Sequence, residues 1–117
     1  FFHTSTHDQG PQHGAHRTVT LPEATADTPA LLKAARQAVE AIWQDGFRYS
    51  KAGVMTMGLV RAEDAARPLW GGIDRERSAR LMGALDAVNA RWGRGTLVPA
   101  SAGLKRDWST RFERRSP

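Results

Sequence analysis

The stretch TPALLKAARQAVEAIWQDGFRYSKAGVMTMGLV, residues 28–60, changes its periodicity part-way, and the change sets the fold class. In its first half Leu31, Leu32, Ala35, Ala38, Val39, Ile42 and Trp43 recur at three- and four-residue spacing, which gathers them on one face of a helix. Thr28 followed by Pro29 is a helix start, because a hydroxyl can cap free amides and proline at the first helical position loses no needed hydrogen bond. The helix should run to about Gln44, with Gly46 taking the left-handed conformation that ends it. From Tyr49 to Val60 the period becomes two, with Met55, Met57 and Leu59 on one face and Val54, Thr56 and Val60 on the other. That predicts a long strand, and apolar side chains on both faces predict a central place in its sheet. Helix and strand in one small core make the chain α+β.

Upstream, Phe1 to Ser5 reads as a short strand and His7 to His16 as a polar loop. Arg17 to Leu21 is β-prone, so a hairpin is expected across that loop. Downstream, Arg61 to Gly72 loses all periodicity and holds a small apolar plug, Pro68-Leu69-Trp70, which marks a linker over residues 63–73. Asp74 can then cap a second helix, with Ser78, Leu81, Met82, Leu85, Val88 and Trp92 on one side and Gly93 at its end. Thr96-Leu97-Val98 reads as briefly extended, and Leu104, Trp108 and Phe112 suggest a last amphipathic helix. A chain of 117 residues has room for one small core and an appendage. Phe1 in place of Met, and an end at Arg114-Arg115-Ser116-Pro117, suggest that both termini are cut.

Charge is distributed unevenly. Residues 1–90 hold ten Lys/Arg against ten Asp/Glu, whereas residues 91–117 hold seven against two, so the whole net charge of +5 sits in the tail. Cations there alternate with rings: Arg91, Trp92 and Arg94, then Lys105, Arg106, Trp108, Arg111, Phe112, Arg114 and Arg115. Such a segment suits nucleic acid, because cations release counterions from phosphates and flat rings stack on bases. Trp108 and Phe112 have a second reading, as core residues packed on the preceding helix.

Other chemistries find little support. His3, His7, His13 and His16 match no zinc spacing, and the chain has no cysteine. No carboxylates converge in a way that would hold two divalent ions, and Trp92-Gly93-Arg94-Gly95-Thr96 lacks the Lys-Ser/Thr pair of a phosphate loop. No metal site and no cofactor are therefore expected here. No window approaches the ~18 to 20 apolar residues of a membrane span, which favours a cytoplasmic setting without membrane contact.

Specific strings narrow the reading further. Residues 42–55, Ile42-Trp43-Gln44-Asp45-Gly46-Phe47-Arg48-Tyr49-Ser50-Lys51-Ala52-Gly53-Val54-Met55, resemble the "IWxxGxRYxKAGVM" stretch of the UmuC group (ImpB, MucB, SamB) of Y-family translesion DNA polymerases. Residues 81–97 resemble that group's "LMxxLDxxNxxxGRGTL", Phe1 to Ser5 is similar to its "FIRTS" strand, and Arg115-Ser116-Pro117 resembles the start of "SPRYTT".

The resemblance implies that residues 1–62 are the C-terminal portion of a little-finger domain, a four-stranded antiparallel sheet backed by two helices and lying along the DNA major groove. Residues 74–117 would be the group's C-terminal segment. The expected fold is thus a partial little-finger sheet with a packed helix, followed by a helical basic appendage. Arg17, Arg48, Lys51, Arg94, Lys105, Arg106, Arg111, Arg114 and Arg115 are the expected DNA contacts, with primer-template DNA as partner. Polymerisation and its magnesium belong to a palm that this stretch does not contain. The group also binds the sliding clamp through a pentapeptide of the type Gln-Leu-x-Leu-Phe, and Ala66-Arg67-Pro68-Leu69-Trp70 occupies that place without the initial Gln. Pro68, Leu69 and Trp70 are the expected clamp contacts. The accessory subunit and the recombinase filament are further implied partners, and they offer a reading in which the chain docks proteins without touching DNA. A sheet begun part-way leaves an unpaired edge, which invites self-association or strand exchange.

Overall fold

The computed structural model of this chain describes residues 1–103. It is α+β. Strands β1 (Phe2–Thr4), β2 (Gly14–Ala15) and β3 (Tyr49–Ala52) form one antiparallel sheet in the order β2-β1-β3. Helix α1 (Thr28–Ile42) lies between β2 and β3 in sequence, and α2 (Arg75–Trp92) follows, trailed by a 3-10 turn at Ala100–Ala102 that packs on α1.

The expected hairpin is present, but its second strand is Gly14–Ala15 rather than Arg17 to Leu21, which is irregular. The reason is local. Thr4 N donates to His13 O at 2.9 Å, His13 N returns a bond to Thr4 Oγ1, and Thr4 Oγ1 donates to Gln12 Oε1 at 2.6 Å. Gln12 in turn donates to Asp8 O. These bonds fasten the loop to the end of β1 and fix the pairing of Phe2 with Ala15 and His3 with Gly14. Arg17 to Leu21 is thereby carried past the end of the strand that it was expected to pair with.

The long strand is also corrected. β3 ends at Ala52, and residues 53–60 belong to no strand and bend at Gly58. The central strand is β1, and β3 lies at the edge. A pleated alternation requires only extended backbone, whereas a strand also requires a neighbour's amides and carbonyls. Gly53 N donates to Phe1 O at 3.0 Å and the Phe1 amino group donates to Gly53 O, and there the pairing with β1 stops. Val54 is 80% exposed and Leu59 82% exposed as a result.

Asp27, not Thr28, caps α1. Its carboxylate accepts from Ala30 N at 2.8 Å, while Thr28 and Pro29 form the first turn. The helix stops at Trp43, three residues before Gly46, whose φ of +89° serves the following turn instead. The α2 boundaries fall where the caps predict: Asp74 accepts from Arg77 N at 3.0 Å, and Gly93 takes φ +106° at the other end. Neither helix has a fully buried residue, and Val39, Trp43, Leu81 and Trp92 turn substantially outward from the stripes expected to be covered. Thr96 and Leu97 lie in a bend rather than an extended segment. The helix expected around Leu104, Trp108 and Phe112 lies outside the described residues.

Candidate nucleic-acid interface

The sheet has two unlike faces because of one extra residue. Thr4 pairs with Tyr49 and His3 with Lys51, so Ser50 is a bulge with no partner across the ladder. The bulge puts Tyr49 on the same face as Phe2 and Thr4, and Lys51 on the face of His3. Phe2, 4% exposed, packs there between Tyr49 at 4.6 Å and Trp43 at 5.7 Å between ring centroids. Phe47 and His13 extend the cluster, 4.7 Å apart. The Tyr49 hydroxyl donates to Gln44 O at 3.0 Å and lies 2.9 Å from His13 Nδ1.

The expected DNA contacts within residues 1–62 are all exposed, but they are not gathered into one spot. Lys51 stands on β3 opposite His3, whose ring stacks near Phe1. Arg48 precedes β3 and lies 3.8 Å from Asp8. Its side chain is 90% exposed, and a surface pair of that length holds the guanidinium only loosely. Arg17 follows β2, the strand that flanks β1 on the side opposite β3. The three cations therefore mark the rim of the small sheet.

The segment expected as a linker is pinned. The Arg75 guanidinium donates to Ala65 O at 3.2 Å, to Ala66 O at 2.8 Å and to Glu23 Oε2 at 3.3 Å. Glu23, whose carboxylate is almost wholly buried, also accepts from Ile73 N. Between these anchors Leu69 is 86% and Trp70 85% exposed. The apolar pair is thus presented to solvent, not packed against the described chain. Sequence reasoning gave Glu23 and Arg75 no role, since nothing local links residues so far apart.

A third basic element closes α2. Arg94 sits exposed in the turn after Gly93, and the Arg91 guanidinium lies 4.8 Å from the Trp92 ring centroid. Only the alternation of bases and rings pointed to Arg91 beforehand. Lys105, Arg106, Trp108, Arg111, Phe112, Arg114 and Arg115 lie outside the described residues.

Residues 1–69 match the impB/mucB/samB family C-terminal domain. The chain belongs to that family. Residues 79–117 match a further domain of unknown function, DUF4113. Protein UmuC of Salmonella typhimurium is 38% identical over 108 residues, which cover 92% of this chain and 26% of that protein. Protein SamB of the same organism is 34% identical over 92% of this chain and 25% of its own length. Protein MucB of Escherichia coli is 33% identical over 91% of this chain and 25% of its own length. The chain thus spans about a quarter of the length of these relatives. No solved structure matches it. Among the described residues no helix is long and apolar enough to cross a membrane.

Proposed function

We propose that this chain is the non-polymerising, DNA-gripping part of an error-prone SOS translesion polymerase, holding primer-template DNA during lesion bypass. The observation that supports this most is the pairing of family membership with charge placement: residues 91–117 hold seven cations against two carboxylates. In this reading residues 1–62 are the end of a little finger, with Arg17, Arg48 and Lys51 resting on phosphates. Residues 63–73 display a docking peptide, and residues 74–117 form a basic appendage in which Arg94, Lys105, Arg106, Arg111, Arg114 and Arg115 bind further phosphates. Phosphate contacts position a protein without reading sequence, which is what a polymerase that must accept damaged templates requires.

Replacing Lys105, Arg106, Arg111, Arg114 and Arg115 together by Ala tests this. Binding to every duplex sequence should weaken alike, and the dependence on salt should flatten by roughly 0.9 for each phosphate that is no longer neutralised. Unchanged affinity and unchanged slope at low salt would remove DNA gripping by the tail. The chain alone should incorporate no nucleotide with any divalent ion, and primer extension by the pure chain would refute that.

A second reading, protein docking, is favoured by Leu69 and Trp70. An apolar-aromatic pair held out to solvent suits a partner's pocket, as in clamp recognition, and buried aromatics dominate such interfaces. Leu69→Ala with Trp70→Ala should abolish clamp binding while leaving DNA affinity intact.

A further inference from the structure

The turn that ends α2 is more constrained than a helix stop requires. Gly93 and Gly95 both have positive φ, at +106° and +86°, where a side chain would be strained. Asn89 reaches over the turn and closes it like a clasp: its Oδ1 accepts from Leu97 N at 3.0 Å, and its Nδ2 donates to Leu97 O at 2.9 Å. The Thr96 hydroxyl lies 2.8 Å from Gly93 O and 3.1 Å from Trp92 O, satisfying carbonyls that the helix end leaves free. Arg94 is at the tip of this braced loop. Beside it Trp92 is 61% exposed even with the Arg91 guanidinium against its ring. Among the described residues, no carboxylate is within ion-pair distance of Arg91 or Arg94.

We infer that Arg91, Trp92 and Arg94 form a docking point for single-stranded nucleic acid, in which Arg94 takes a backbone phosphate and the Arg91–Trp92 pair takes an unstacked base. The inference rests on the DNA-handling reading above and adds to it a site and a strand form. The chemistry selects the occupant. Two guanidiniums at the head of the basic segment call for a polyanion, and an exposed indole gains stacking energy only from a base freed from its own duplex. Bracing matters because a loop already ordered by Asn89 loses little conformational freedom on binding. A cation stacked on the indole also remains able to donate outward to phosphate.

Fluorescence anisotropy of the full 117-residue chain with labelled oligothymidylate, and separately with a blunt duplex, tests the inference between about 50 and 200 mM salt. Trp92→Ala should weaken oligothymidylate binding by about 5- to 100-fold and leave duplex binding within twofold. Arg94→Ala should lower the single-strand salt slope by about 0.7, and Arg94→Lys should restore it. Arg94 is solvated, so its variants remain informative even if Trp92→Ala reduces the helix content seen by circular dichroism. Equal single-strand affinity and slope in the parent and Arg94→Ala would overturn the inference, as would equal losses on both probes for a folded Trp92→Ala. If the parent binds duplex through its tail while the turn variants are silent, this inference alone falls. If the parent binds neither probe, the DNA-gripping reading falls with it.

Discussion

Around Phe2 the chain is held by rings, whereas around Glu23 and Arg75 it is held by charges. In the first region Phe2, Trp43, Phe47, Tyr49 and His13 cover one another, and stability there comes from apolar surface removed from water. In the second region carboxylates make the ties, with Pro68 and Ile73 beside them. One carboxylate, Glu23, ties the start of α2 to the preceding chain, and another, Asp27, caps α1 with Oδ1 while Oδ2 accepts from the Ser78 hydroxyl at 2.6 Å. The described residues, few of them buried, are thus held in these two regions by two kinds of interaction that respond differently to substitution. Truncating a ring leaves a cavity, while truncating a carboxylate strands its donors.

Phe2→Ala should produce the largest loss, about 3 to 5 kcal/mol, read as a fall in the urea midpoint together with loss of the aromatic near-ultraviolet signal. A smaller loss would mean that the rings collapse into the space and that the sheet depends on its hydrogen bonds instead. Glu23→Ala should cost about 1.5 to 3 kcal/mol, because the Ile73 amide loses its acceptor and the Arg75 guanidinium loses its carboxylate while keeping the Ala65 and Ala66 carbonyls. Hydrogen exchange at Ile73 should accelerate while the amide of Thr4 stays protected. If both accelerate together, the two regions form one cooperative unit and the distinction between them disappears. Tyr49→Phe should cost about 1 kcal/mol or less, since it keeps the ring packing and removes only the bonds to Gln44 O and His13. Its measurement isolates the polar share of the region that rings dominate.

The same contrast explains what could be read in the sequence. Both ends of α2 were legible because Asp74 and Gly93 act within a few residues of themselves. Tyr49 to Val60 was misjudged because its alternation matches any extended chain, and the missing information was whether a neighbouring strand was there to bond. The bulge at Ser50 was invisible, and with it the placement of Lys51 on the open face. At the candidate interface, Leu69, Trp70 and the alternation of Arg91, Trp92 and Arg94 stood out as local composition. Glu23 and Arg75 did not, because a carboxylate in an irregular stretch and an arginine at a helix start each look like ordinary solvated charges. Family resemblance, by contrast, was carried by strings of exposed and half-exposed residues such as Phe47-Arg48-Tyr49-Ser50-Lys51-Ala52.

Arg75 also has a mechanical consequence. Its guanidinium holds the carbonyls of Ala65 and Ala66 on one side of the Leu69–Trp70 pair and its backbone begins α2 on the other, so the displayed residues ride on a short loop with both ends at one arginine. On the α2 side the first anchor after Trp70 is Ile73, whose amide donates to Glu23, and the next is Arg75. The ties meet at the first turn of α2 and, through Glu23, at the approach to α1, so the displayed pair is linked to the starts of both helices.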